Sequence, residues 1–428
     1  MRQRVQTASA LQGEVHIPGD KSISHRAVIL NSIAQGDARV SNFSQSDDCF
    51  STVTCMRALG VGIETGDGDE LDIHGVGKNG LTEAGGALDA GNSGTTMRIL
   101  AGLLAAQPFP SVITGDESLR SRPMDRVIQP LRLMGAQISG QIDDSRAPLE
   151  IQGGKLRGIR YRLPVASAQI KSALLLAGLY AQGHTVIEEP VPCRDHTERM
   201  LKEMGAGIEV DGDTIHLSPG SLKAVDLLIP GDISAAAFWL VAGAIHPQAS
   251  IRLPNAGINP TRSGILDVLL SMGADIAVGN EHVLHGEPVA DLEVQSSSLR
   301  GTEIGGELIP RVIDEIPLIA LAACAANGRT VIRDAQELRV KETDRISATA
   351  KELSKMGADV EELPDGMVIH GGRKLSGAGC DSHGDHRLAM MLGVAALIAD
   401  GKSEIDNAEA ASISYPTFWQ DLGRLSAG

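Results

Sequence analysis

The sequence predicts an α/β protein of two domains, each built from three copies of one helix-and-strand repeat. Two regularities carry that prediction. The phrase Leu/Met-Gly-Ala-x-Ile/Val recurs as Leu59-Gly60-Val61-Gly62-Ile63, Met134-Gly135-Ala136-Gln137-Ile138, Met204-Gly205-Ala206-Gly207-Ile208, Met272-Gly273-Ala274-Asp275-Ile276 and Met356-Gly357-Ala358-Asp359-Val360, with a truncated sixth copy at Leu422-Gly423. Its glycines stand 75, 70, 68, 84 and 66 residues apart, so a chain of 428 residues reads as six copies of about 71. The second regularity lies at half-chain distance, where Ile17-Pro18-Gly19-Asp20 returns 212 residues later as Ile229-Pro230-Gly231-Asp232. Duplication of a three-repeat domain explains it, with the Pro-Gly turns as crossing points; chance repetition of a common turn is the plain alternative. The domains are expected at 19–231 and at 1–18 plus 232–428.

Each repeat begins with a helix that is apolar nearly all round, at 25–34, 95–106, 169–181, 234–244, 315–326 and 386–399. Such helices belong in the middle of a domain. A turn and a short strand follow, as at Thr330-Val331-Ile332. An amphipathic helix comes next, as at 197–204 and 344–356, and ends at the recurring glycine, where a C-cap is expected. A short β-branched run then leads away from the cap.

Composition limits what such a scaffold can bind. Glycines number 49, but there are only 2 Trp, 3 Tyr and 5 Phe, so the core is aliphatic and aromatic stacking cannot hold a ligand. With 38 basic and 54 acidic residues the net charge is −16, which disfavours nucleic acid and anionic membrane as partners. An anionic ligand therefore needs local cations. The five cysteines (Cys49, Cys55, Cys193, Cys324, Cys380) are scattered and form no C-x-x-C, which argues for a reducing compartment and against a disulfide framework or zinc site. The opening MRQRVQTASALQGEV has no apolar signal-peptide core, and the apolar stretch 233–245 falls short of the about 18 residues of a membrane span. The cytoplasm is the expected location.

Chemistry gathers where the inner helices start. A helix amino terminus carries unpaired N–H groups and partial positive charge, worth about 0.3–1 kcal/mol to a nearby anion. In Lys21-Ser22-Ile23-Ser24-His25-Arg26, Lys21 and Ser22 are expected in the turn, with Arg26 one turn into the helix on the same face as Ser22. An ammonium, a hydroxyl and a guanidinium suit a carboxylate or phosphate; serine capping with solvated charges is the alternative. Gly91-Asn92-Ser93-Gly94 resembles a phosphate cradle without the G-K-[ST] ending of a Walker A loop, and is otherwise a plain helix start. Arg120-Ser121-Arg122 reads as a loop offering cations, or a surface salt bridge, with Pro123 starting the next helix. In 337–345, Lys341 and Arg345 are expected on one helix face with Glu342 beside them, a set that can bind an anion and move a proton. A salt-bridged surface is the other reading. Asp314-Glu315 and Asp385-His386-Arg387 add a possible base and a further cation.

In order along the whole chain, the segments 21–26, 92–98, 119–124, 167–171, 339–345 and 385–387 resemble the motifs of the 5-enolpyruvylshikimate-3-phosphate synthase family, in its divergent bacterial branch. The resemblance implies two domains of three βαβαββ repeats (the enolpyruvyl transferase fold, an inverse α/β barrel), with inner helix starts facing a cleft between the domains. It implies transfer of the enolpyruvyl group of phosphoenolpyruvate to the 5-hydroxyl of shikimate 3-phosphate through a tetrahedral intermediate, without metal or organic cofactor, in a monomer. Lys21, Arg122, Gln169, Arg345 and Arg387 are then expected to hold phosphoenolpyruvate, with the backbone from Asn92 to Gly94 near its phosphate. Lys21, Ser22, Arg26, Ser167, Ala168, Gln169, Arg194, Asp314 and Lys341 are expected on shikimate 3-phosphate. Asp314 is assigned as base at the attacking hydroxyl, Glu342 to exchange the methylene proton, and Lys21 to assist phosphate departure.

Three positions depart from the family pattern. Ala168 stands where many members have a second serine, Glu337 replaces an asparagine, and Ile413-Ser414-Tyr415-Pro416 lacks the preceding lysine. Gly94 is the small residue associated with room for glyphosate. The related UDP-N-acetylglucosamine enolpyruvyl transferases would show Lys-Asn where this chain has Lys21-Ser22, and a cysteine in the loop that holds Arg120-Ser121-Arg122. A non-catalytic anion-binding protein of the same fold would not need Lys21, Asp314, Lys341, Glu342 and Arg345 together.

Overall fold

The structure, a computed structural model, describes residues 1–66 and 68–427. One unit comprises Gly19–Ile229 with Leu284–Glu287; the other comprises Met1–Pro18, Pro230–Val283 and the chain from Pro288 onward. They are called here the inserted and the flanking unit, after their order in sequence.

The inserted unit alternates inner and outer helices: α1 (Lys21–Ser32), α2 (Asp47–Ala58), α3 (Gly94–Leu104), α4 (Asp125–Leu133), α5 (Ala168–Tyr180) and α6 (His196–Glu203). Its third repeat shows the pattern. Strand Arg160–Arg162 leads into α5, Thr185–Glu188 pairs parallel with it, and after α6 the hairpin Ile208–Asp211 and Thr214–Leu217 closes the sheet antiparallel. The second repeat repeats this with Leu88–Asp89, Pro110–Thr114, Gln137–Gly140 and Arg146–Gln152. In the first repeat the leading position is filled from far along the chain, by Leu222–Lys223 and Leu227–Leu228 lying parallel to Ala34–Ser41.

The flanking unit continues with α7 (Ile233–Ile245), α8 (Gly264–Ser271), α9 (Ile316–Ala325), α10 (Arg345–Lys355), α11 (His386–Ile398) and α12 (Phe418–Ser426). Its first sheet takes its leading strand from Leu11–Glu14, parallel to Ala249–Gly257, and its last takes Arg2–Gln6, antiparallel to Lys402–Asp406. Residues 1–18 thus belong here because they complete two of its sheets. The result is an α/β architecture of six βαβαββ-type repeats, three per unit, the sixth abbreviated.

The recurring glycines do the work expected of them in five repeats. Gly60, Gly135, Gly205, Gly273 and Gly357 follow the outer helices at φ of 89°, 100°, 81°, 92° and 92°, a region closed to most L side chains. The sixth expectation fails: Gly423 lies inside α12. The sixth sheet is completed instead by Arg2–Gln6, antiparallel to Lys402–Asp406.

The inner helices are buried on nearly every face, and each unit has its own core, with Ile29, Leu100 and Leu174 in one and Phe238, Leu321 and Leu392 in the other. Small residues let these helices approach. A Cβ at Gly102 of α3 would lie 2.1 Å from the Ala173 carbonyl oxygen of α5. In the flanking unit Trp239 Nε1 donates to Tyr415 Oη (3.1 Å), which donates to Asp421 (2.9 Å). The Ser-Tyr-Pro motif therefore packs α12 onto α7. Among the described residues no helix is long and apolar enough to cross a membrane.

Candidate active site

In the inserted unit the three inner helix starts converge. Asp20 caps α1 by accepting from Ile23 N (2.9 Å), Ser93 caps α3 (Thr96 N, 3.1 Å) and Ser167 caps α5 (Ile170 N, 3.5 Å). Lys21 and Ser22 form the first turn of α1, not the turn before it, because Asp20 takes the capping position. Lys21 Nζ lies 3.0 Å from Asp48 Oδ2. Arg26, almost fully buried, donates to Thr197 Oγ1 (2.6 Å), the Ser22 carbonyl (2.8 Å) and Ser172 Oγ (2.7 Å), and burial lowers its pKa to about 10. It therefore also ties α1 to α5 and α6. Arg194 reaches toward Ser22 Oγ at 3.4 Å.

A second set lies at the starts of α3 and α5. Gln169 donates to Thr95 Oγ1 (3.0 Å) and accepts from Arg98 Nη1 (2.8 Å). Asn92 Oδ1 accepts from Arg122 Nη2 (2.7 Å) while its amide donates to Asp116 (2.8 Å). A Cβ at Gly94 would stand 2.7 Å from Arg98 Nη1 and 3.6 Å from Arg122 Nη1, so this glycine keeps the space in front of two guanidinium groups open. Ala168, between Ser167 and Gln169, offers only its backbone and methyl. The expected cationic loop is a helical turn, Glu117–Ser121, capped by Asp116, with Arg122 as its C-cap; Pro123 precedes Met124, the N-cap of α4. The capping carboxylate of Asp116 is what makes the loop helical.

In the flanking unit Asp314, just before the start of α9, faces four cations. Arg345 Nη1 is 3.5 Å from its carboxylate, Arg387 Nη2 3.7 Å, Arg262 Nη2 3.9 Å and Lys341 Nζ 4.0 Å. Lys341 and Arg345 do not share a helix face as expected. Lys341 ends the 3-10 turn Gln336–Val340, and α10 begins only at Arg345, capped by Asp344. The two side chains meet at Asp314 from different elements. Glu342 accepts from Arg345 Nη2 (2.6 Å), and Asp385, the cap of α11, accepts from Arg345 Nε (2.7 Å).

Glu315 anchors the other two arginines. It accepts both arms of Arg262 (2.7 and 2.8 Å), receives the hydroxyl of Ser234, and lies 3.4 Å from Arg387 Nη1, which also donates to Ser234 Oγ (2.6 Å). Burial pushes the Glu315 carboxyl up, but Arg262 and Arg387 outweigh it and hold it below the ordinary value. Burial likewise opposes the charge on Arg345, and Asp385, Glu342 and Asp314 override it. Fixed, charged guanidinium groups beside a carboxylate can seat an anion and leave an acceptor for a hydroxyl proton.

A model of the family described as EPSP synthase (3-phosphoshikimate 1-carboxyvinyltransferase) matches residues 5–422. The chain belongs to this family. It is 55% identical to the 3-phosphoshikimate 1-carboxyvinyltransferase of Desulforudis audaxviator over 99% of both chains, and 54% identical to that of Gloeobacter violaceus over 98% of this chain and 97% of the other. A solved structure of EPSP synthase from Acinetobacter baumannii superposes with a TM-score of 0.89 at 44% identity, covering 99% of this chain and 98% of that one.

Of the residues that the resemblance assigns to substrate, Lys21, Ser22, Arg26, Asn92, Gly94, Arg122, Ser167, Ala168, Gln169 and Arg194 lie in the inserted unit, and Asp314, Lys341, Glu342, Arg345 and Arg387 in the flanking unit. Arg98 and Arg262 stand among these groups with no role assigned from sequence. Arg98 carried a usable signal, since it stands four residues after Gly94 on the same helix. Arg262 carried none, lying in Pro260-Thr261-Arg262-Ser263 ahead of an outer helix.

Proposed function

We propose that this chain transfers the enolpyruvyl group of phosphoenolpyruvate to the 5-hydroxyl of shikimate 3-phosphate, giving 5-enolpyruvylshikimate 3-phosphate and phosphate. The observation that carries the reading is the full-length family match joined to an unbroken set of cations around Asp314.

In this scheme Asp314 accepts the proton of the 5-hydroxyl as its oxygen bonds to C2 of phosphoenolpyruvate, while a proton is delivered to the methylene carbon by Glu342. A tetrahedral intermediate results, with phosphate still on C2. Loss of a proton from the new methyl group, back to Glu342, then breaks the C2–O bond to phosphate, which leaves with the proton that Asp314 took up, and Lys21 stabilises the departing anion. Arg122, Arg345 and Arg387, with Gln169 and the backbone from Asn92 to Gly94, hold phosphoenolpyruvate. Ser22, Arg26, Ser167, Ala168, Gln169, Arg194 and Lys341 hold shikimate 3-phosphate. The scheme uses no metal or organic cofactor. The protein acts as a monomer in the cytoplasm.

The test is phosphate release by purified protein supplied with phosphoenolpyruvate and either shikimate 3-phosphate or UDP-N-acetylglucosamine. Release with the first acceptor alone is expected. Absence of release with shikimate 3-phosphate overturns the assignment.

A further inference from the structure

Behind the shikimate 3-phosphate set lies a buried charge cluster that the scheme above leaves unused. Lys171 stands on α5, two residues after Gln169, with its side chain fully buried. An ammonium has three N–H donors, and three acceptors surround this one. They are the Glu189 carboxylate at 2.9 Å, Glu198 Oε1 at 2.6 Å and the backbone oxygen of Cys193 at 3.3 Å. Burial works against the charge on Lys171, and its partners, Glu198 foremost, outweigh that cost.

The acceptors are spread along the connection between two elements. Glu189 follows strand Thr185–Glu188, Cys193 sits in the connection, and Glu198 is in the first turn of α6. A further contact, from Cys193 Sγ to Glu189 Oε1 (2.8 Å), braces the same stretch. One ammonium thus fastens 189–198 to the inner helix that also presents Ser167, Ala168 and Gln169. Arg194 is the residue immediately after the clamped carbonyl.

Packing alone does not call for this arrangement, because a buried ion pair is often no more stabilising than apolar side chains of the same volume. What the ammonium adds is direction. By fixing the Cys193 carbonyl it sets the peptide from which Arg194 projects.

We propose that Lys171 is a positioning residue for Arg194, and through it for recognition of the phosphate group of shikimate 3-phosphate. The proposal rests on the functional reading given above. The experiment compares wild type, Lys171→Met, Arg194→Ala and the double variant, measuring kcat and KM for shikimate 3-phosphate and for phosphoenolpyruvate, with calorimetric binding of shikimate 3-phosphate and of shikimate.

Lys171→Met is expected to weaken shikimate 3-phosphate about tenfold or more, the size of a lost charge-assisted contact. KM for phosphoenolpyruvate and binding of shikimate, which lacks the phosphate, are expected to stay within about twofold. The double variant should bind shikimate 3-phosphate no worse than Arg194→Ala, since both changes remove one interaction. Additive losses, or equal weakening of shikimate, overturn the proposal and leave Lys171 a folding residue only. If Lys171→Met fails to fold by circular dichroism, Glu189→Gln replaces it, with a smaller loss confined to shikimate 3-phosphate expected and an unchanged affinity counting against the proposal. Wild-type protein without turnover overturns the functional reading; wild-type turnover with an unaltered Lys171→Met overturns the Lys171 role alone.

Discussion

Asp314 faces four cations, so neutralising it removes an acceptor while leaving the anion-binding groups in place. Asp314→Asn keeps the volume and is expected to lower kcat by about 10²–10⁴-fold with an unchanged circular dichroism spectrum. Lys341→Ala is expected to abolish detectable turnover; wild-type rates in either variant would remove the assigned roles. At Gly94 the constraint is space. A methyl group there presses on Arg98, which is already engaged by Gln169 and by the Pro123 carbonyl (3.0 Å), so Gly94→Ala should raise KM for phosphoenolpyruvate and weaken glyphosate inhibition. An unchanged inhibition constant would show that the guanidinium yields freely. His25 sets a pH dependence. Burial first, then Lys21 and Arg26, depress its pKa well below the ordinary value, so it stays neutral in the fold. Unfolding takes up a proton below pH about 6.5, and stability present above that value is lost as pH falls. Denaturant titrations between pH 7 and 5 should show a slope shallower in His25→Gln by up to about 1.4 kcal/mol per pH unit.

The elements obey local rules that a sequence displays. A glycine follows five outer helices because the chain must turn back at positive φ into a hairpin, and the inner helices are apolar all round because neighbours cover every face. Close approach makes some inner positions exacting. Gly102→Ala would drive a methyl group against the Ala173 carbonyl and is expected to cost about 1–3 kcal/mol, measurable as a lower urea midpoint at unchanged slope. Local rules also misled. The i, i+4 spacing of Lys341 and Arg345 suggested one helix face, but Asp344 is the better N-cap and starts α10 after Lys341. The short segment before Arg122 has the composition of a loop, but Asp116 caps it as a helical turn.

At the scale of the whole molecule, the two sets of site residues belong to different units, each with its own core. The net charge of −16 fits the same scheme, since the anionic substrates meet concentrated local cations within an acidic chain.

The sequence by itself determined the period of the chain, its division into two sets of three repeats, and the identity of nearly all the charged groups at the helix starts. These were legible because caps, apolar faces and helix amino termini are decided by neighbours a few residues away. Only the tertiary structure decided which strand finishes which sheet, with 222–228 completing the first repeat and 2–6 the last, and which cations share a carboxylate. It alone brought Arg262 to the site and set Lys171 against Glu189 and Glu198. Those pairings join residues far apart in sequence, and spacing along a chain carries no record of which distant partners meet when inner helices pack.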